Sequence, residues 1–117
     1  GQVNAEMIGY KQFSGVGGQV DFVRGASRAK GGKAIIAMPS TAGHDKISKI
    51  VPLLDEGAAV TTSRNDVDYV ITEFGIAPLK GRTLRQRAIA LIKIAHPDFR
   101  DGLIAEFEKR FHCKYEG

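Results

Sequence analysis

One cysteine, no long apolar run and little net charge mark what this 117-residue sequence does without. A lone Cys113 has no partner for an internal disulfide, so the fold must hold by burial, and a reducing, cytoplasmic setting suits it. No apolar stretch approaches the roughly 20 residues needed to cross a bilayer, so no membrane partner is expected. The opening residues Gly1-Gln2-Val3-Asn4-Ala5-Glu6 offer neither an initiator Met nor the apolar centre of a signal peptide. They read as the middle of a longer protein. The 17 Lys and Arg against 13 Asp and Glu leave a charge of +4, without the basic run or interleaved aromatics of a nucleic-acid surface.

Several chemical motifs are missing as well. His44, His96 and His112 are scattered, and Cys113 beside His112 completes no zinc or EF-hand spacing, so no metal is expected. Ser14, Ser40 and Ser63 lack the G-x-S-x-G elbow of a Ser-His-Asp hydrolase. The glycines of 14–21 miss the G-x-G-x-x-G spacing, and no Ser or Thr follows Lys33 as a phosphate-binding P-loop requires.

What is present is 43% hydrophobic and 26% charged residues, ordinary for one globular domain with a modest core. The densest local signal is Ser14-Gly15-Val16-Gly17-Gly18, followed by Lys30-Gly31-Gly32-Lys33. Three glycines in four positions leave backbone N–H groups uncovered and permit φ > 0, as a chain needs to approach a ligand closely. With two lysines beyond, the stretch reads as a cradle for an oxyanion or phosphate. Two tight turns with solvated lysines remain the plain alternative.

Around it, 2–8 reads as a short strand with Val3, Ala5 and Met7 on one face, broken by Gly9 and the glycine turn. Asp21 is placed to cap a short helix carrying Phe22, Val23 and Ala26, which Gly31-Gly32 ends. The apolar run 34–38, bounded by Gly32 and Pro39, predicts a strand covered on both faces. Residues 39–45 read as a surface loop, 47–51 as a half-buried strand, and 60–62 and 67–72 as strands around the turn Arg64-Asn65-Asp66. From Thr83 the period turns helical: Leu84, Ala88, Leu91 and Ala95 share one face, opposite Arg85, Gln86 and Lys93. Pro97 opens a second helix, with His96 as cap or packing residue. Phe99, Leu103, Phe107 and Phe111 form its stripe, Asp98 and Asp101 come early, and Lys109 and Arg110 late. The order predicts an α/β domain whose one-sided elements leave faces for a missing portion to cover. Glu73, at a strand end, is a nucleophile or a structural acceptor.

Five blocks carry a more specific signal: Ser14-Gly15-Val16-Gly17-Gly18-Gln19-Val20-Asp21-Phe22-Val23-Arg24-Gly25-Ala26; Ala29-Lys30-Gly31-Gly32-Lys33; Ser48-Lys49-Ile50-Val51-Pro52-Leu53-Leu54; Val60-Thr61-Thr62-Ser63-Arg64-Asn65-Asp66-Val67-Asp68-Tyr69-Val70; and Ala95-His96-Pro97-Asp98-Phe99-Arg100. In this order, over nearly the whole chain, the sequence resembles the carboxy-terminal domain of the acetyl-CoA hydrolase/transferase family. The resemblance implies a CoA-transferase-type α/β fold, a mixed sheet with flanking helices, in a protein whose two related domains face each other across the active site. Residues 1–117 would be the carboxy-terminal part of that catalytic domain.

The resemblance further implies transfer of CoA between an acyl-CoA, of acetyl or 4-hydroxybutyryl type, and a small carboxylic acid. A glutamyl-CoA thioester on the enzyme is the intermediate, CoA is a substrate, and no separate cofactor is needed. Gly18 would offer its N–H to the oxyanion with Gly17 beside it, and Ser14 and Lys30 would lie against CoA. Some relatives carry Asn where Ser14 stands. The family's glutamate sits in a His-Thr-Glu-type motif upstream of the matched region; this sequence contains no such motif, and the stretch around Glu73 aligns with a different part of the family. This chain alone is therefore expected to be inactive. Its expected partners are its own missing amino-terminal portion and, at full length, further copies in a homo-oligomer. An acyl-CoA hydrolase of the same family, and a non-catalytic CoA- or anion-binding module using Gly18 and Lys30, are the other readings.

Overall fold

A computed structural model describes residues 1–8, 11–12, 14–15 and 17–117; Gly9, Tyr10, Phe13 and Val16 lie outside the described residues. Its elements, in chain order, are β1 (Met7–Ile8), β2 (Lys11–Gln12), α1 (Gln19–Arg28), β3 (Ile35–Ala37), β4 (Thr41–Ala42), β5 (Ile47–Ser48), β6 (Tyr69–Thr72), β7 (Gly75–Pro78), α2 (Leu84–Lys93) and α3 (Pro97–Phe111). A three-stranded mixed sheet, ordered β3-β6-β7, pairs β3 with β6 in parallel and β6 with β7 antiparallel. Two small antiparallel pairs, β1-β2 and β4-β5, stand outside it.

The register explains the core. Ile36 is aligned with Val70, and Val70 with Ala77, so these three share one face of the sheet. That face packs on α2 and α3 through Ile92, Leu103 and Phe107, all buried, joined by Val67, Leu79, Ile94 and Ala95. Burying a side chain such as Phe107 contributes roughly 1.5–3 kcal/mol. The helices follow their local signals. Thr83 caps α2 with a reciprocal capping box through Gln86, and His96 caps α3 by accepting from Asp98 N, with Pro97 in the first turn. Of the α3 stripe, Leu103 and Phe107 are buried and Phe99 and Phe111 half-buried.

Several expectations need correction. The run 34–38 is covered on one face only: Ala34 is buried and Ile36 half-buried, whereas Ile35 is 53% exposed and Ala37 exposed. On that open face Ala37 aligns with Ile71 and Ile71 with Ile76, itself 63% exposed. Over 2–8 the chain is strand only at Met7–Ile8, with Val3 forming an isolated bridge to Thr62. Between them Asn4 Oδ1 accepts from Glu6 N, a local bond that turns the backbone away from a ladder. The bridge is also all the strand that 60–62 forms.

Asp21 does not cap α1. Gly18 is the N-cap, without a side-chain cap bond, and Asp21 sits in the first turn, where its charge suits the helix dipole. The helix stops at Arg28 with extended Ala29, ahead of Gly31-Gly32. Residues 39–45 are not simply surface: Ser40 and Thr41 are buried in the β4-β5 hairpin, where Thr41 Oγ1 donates to Asp45 Oδ1 at 2.7 Å. The strand expected over 47–51 shrinks to Ile47–Ser48, because Ser48 Oγ donates to Ile50 O and accepts from Ile50 N. On α2, Leu84 is 47% exposed, while Arg87 and Ile92 are the buried residues. Strand β7 lies where no element was expected; Pro78 ends this edge strand, where its missing N–H breaks no ladder.

Candidate functional site

The glycine stretch forms the turn into α1. Gly17 has φ +61, and a Cβ built on it would meet nothing within 4 Å. Its backbone is therefore both left-handed and open. Gly18 follows as the N-cap, so the first N–H groups of α1 point outward without intrahelical partners. Such a helix start favours negative charge through its donors and its dipole together. Phe22, 82% exposed, walls one side: a Cβ on Gly18 would meet its Cε2 at 3.3 Å.

Ser14 is exposed at the start of the turn. Its N–H donates to Glu6 O at 3.3 Å, and Gln12 Nε2 donates both to Ser14 O and, at 3.4 Å, to Glu6 Oε1. Glu6 Oε2 in turn accepts from Thr61 Oγ1 at 3.1 Å, and Thr61 Oγ1 accepts from Ala5 N at 2.8 Å. Glu6, Gln12 and Thr61 thus brace the turn from outside the glycine motif. Sequence reading missed all three, because their partners lie up to 56 residues away.

Gly17 and Gly18 stand at the start of α1, and Ser14 precedes Gly18 by four residues on the side braced by Glu6 and Gln12. Lys30 does not join them. It is exposed beyond the opposite end, across a ten-residue helix that at 1.5 Å per residue is about 15 Å long. Lys33 is engaged elsewhere, with its Nζ 5.9 Å from the centre of the Tyr69 ring.

A second polar cluster lies at the β6-β7 turn. Ser40 N donates to Glu73 Oε1 at 2.7 Å, and this bond, with the Ser40 side chain beside it, holds the exposed Glu73 carboxyl below its ordinary range. Here Glu73 is a structural acceptor. Next to it, Phe74 meets His96 edge-on at 5.5 Å, and Arg100 stacks over Phe74 at 5.4 Å while donating to Ala95 O. Among the described residues no group of three or more His, Cys, Asp and Glu could hold a metal, and no helix is long and apolar enough to cross a membrane.

Comparison with known proteins gives the family and the fold. Residues 1–107 match the acetyl-CoA hydrolase/transferase C-terminal domain. The chain is 72% identical over 111 residues to a 4-hydroxybutyrate coenzyme A transferase of Clostridium kluyveri, covering 95% of this chain and 26% of the relative. It is 57% identical to a succinyl-CoA:cyclohexane-1-carboxylate CoA transferase of Geobacter metallireducens, covering 96% of this chain and 25% of that protein. An acetyl-CoA hydrolase of Yarrowia lipolytica is 36% identical, over 90% of this chain and 20% of its own length.

Among solved structures, RipA from Yersinia pestis superposes with a TM-score of 0.84 at 48% identity, covering 96% of this chain and 25% of RipA. A 4-hydroxybutyrate CoA-transferase from Porphyromonas gingivalis gives 0.73 at 54% identity, over 92% of this chain and 25% of that one. The fold is thus the expected CoA-transferase-type α/β arrangement, and the chain spans about a quarter of the length of the relatives it matches. This chain belongs to the acetyl-CoA hydrolase/transferase family, matching its C-terminal domain over residues 1–107.

Proposed function

We propose that this chain supplies the oxyanion and CoA contacts of a CoA-transferase whose nucleophilic glutamate lies outside residues 1–117. The observation that carries the reading is the open, left-handed Gly17 leading into the uncapped Gly18 at the start of α1. In this reading Gly18 N–H meets the developing oxyanion, Gly17 lets the backbone approach, and Ser14 and Lys30 contact CoA. Lys30 stands a helix length from Gly18, so a ligand reaching both must be extended, as CoA is and a free phosphate is not.

The chemistry runs in four additions to a carbonyl. The glutamate carboxylate attacks the acyl-CoA thioester and expels CoA thiolate, leaving a mixed anhydride. The thiolate attacks the glutamyl carbonyl, frees the first carboxylic acid and forms the glutamyl-CoA thioester. An incoming carboxylate attacks that thioester and again expels the thiolate. The thiolate then attacks the new acyl carbonyl, giving the second acyl-CoA and the free glutamate. Each addition develops an oxyanion, where one preorganised donor contributes about 3–4 kcal/mol.

The transferase reading stands ahead of hydrolysis because the 72% and 57% identical relatives are transferases and the hydrolase is 36% identical. Incubating the full-length protein with an acyl-CoA, then digesting it for mass spectrometry, tests the reading. A CoA adduct on a glutamate outside 1–117, discharged by added carboxylate, is the expected result. CoA release that ignores the carboxylate would show a hydrolase, and an adduct within 1–117 would overturn the assignment. The chain by itself is expected to show no turnover with acetyl-CoA and a carboxylate.

A further inference from the structure

Between the helix-covered face of the sheet and the segment 49–54 lies a cavity of about 280 Å³. Its walls are apolar and open, with Val51 44%, Leu53 74% and Leu84 47% exposed. Its charge is one-sided. Lys49, Arg64, Arg87 and Arg110 line it, against Glu106 as the single carboxylate among the described lining residues.

Arg87 makes this imbalance costly. It is only 9% exposed, and its guanidinium donates to the carbonyls of Arg64 at 2.6 Å and Arg82 at 3.1 Å. The ion pairs among the described residues, Arg24–Asp66 and His96–Asp98, involve none of the cleft arginines. A buried cation held only by neutral carbonyls favours a carboxylate partner. Gly1, Gln2 and Val3 also line the cavity, so the chain enters the domain through this cleft.

We propose that the cleft seats the segment preceding Gly1 in the full-length protein, and that this segment brings carboxylates to Arg64, Arg87 and Arg110. The relatives are about four times as long, and the matched domain is C-terminal by description, which supplies the preceding chain. The one-sided charge of the lining selects an acidic, partly apolar segment over a basic one. The inference is independent of the transfer chemistry and holds equally for a hydrolase.

Hydroxyl-radical labelling of the full-length protein, read at Leu53 and Leu84, tests whether the cleft is filled, and carbodiimide cross-linking of Lys49 identifies what fills it. We expect both leucines to label at least tenfold more slowly than free leucine at every protein concentration. We also expect Lys49 to couple to an Asp or Glu within about one strand or helix length upstream of Gly1. Labelling near the free rate overturns the proposal. So does protection that disappears on dilution, which would mean a second copy fills the cleft. Coupling of Lys49 only to carboxylates elsewhere in the protein overturns it too.

Discussion

Thr72 donates its hydroxyl to the carbonyl of Ile94 at 2.6 Å and so ties the end of β6 to the residue that caps α2. The same oxygen accepts from Phe74 N at 3.1 Å, which shapes the β6-β7 turn. Both Thr72 and Ile94 are buried, so neither group can turn to water instead. Thr72→Val keeps the shape and removes the hydroxyl, leaving a buried carbonyl unpaired. The expected loss is about 1–3 kcal/mol of unfolding free energy. Thr72→Ser should recover most of it. Chemical denaturation of the three proteins checks this, and equal midpoints for Val and wild type would refute it.

The Glu73 carboxyl gives a pH-dependent counterpart. Its folded pKa lies below its ordinary value of 4.5, first through the Ser40 backbone N–H and then the Ser40 side chain. A depressed pKa means the folded state prefers the charged form. That contribution is fully present above pH 4.5 and is lost as pH falls through the lower folded value. Glu73→Gln should therefore melt below wild type at neutral pH, and the gap should close in acid. A gap independent of pH from 7 downward would show that the carboxylate charge does nothing there.

Thr83 and Gln86 exchange bonds at the start of α2, Thr83 Oγ1 accepting from Gln86 N at 3.2 Å and Gln86 Oε1 from Thr83 N at 3.0 Å. Thr83→Ala removes the cap and should cost about 1 kcal/mol, with Thr83→Ser nearly neutral. Thermal unfolding of the pair, compared with wild type, decides it. No loss in the alanine variant would mean that packing alone sets the start of α2.

These contrasts show where the sequence was legible. The His96 cap and the apolar stripe of α3 depend on residues within a few positions of one another, so they are readable locally. Ser40 is different. Its place in the core rests on Glu73, 33 residues away, and no local pattern distinguishes a hydroxyl that will be buried from one that will be solvated. Likewise 34–38 is apolar on both sides, which reports what a strand is suited to and not what covers it here. At the candidate site, the glycine turn was visible because Gly17 needs its left-handed φ. The separation of Lys30 was not, since the length of α1 depends on where Gly18 and Ala29 end it.

Two glycines to alanine should then move stability in opposite directions. At Gly102, inside α3, an added Cβ meets nothing within 4 Å and no positive φ is required. Alanine there limits the unfolded chain and should stabilise by roughly 0.5–1 kcal/mol. At Gly17 there is as much space, but φ is +61. Alanine must bear the left-handed strain, about 1–2 kcal/mol, or rotate the peptide out of its present direction. In the full-length protein Gly17→Ala should therefore lower kcat as well as stability, because the turn leading to the Gly18 donor shifts. Gly102→Ala should raise the melting temperature and leave kcat unchanged. The comparison separates a glycine required by its conformation from one that is merely tolerated. A Gly17→Ala enzyme with wild-type kcat would remove the turn from the proposed oxyanion site.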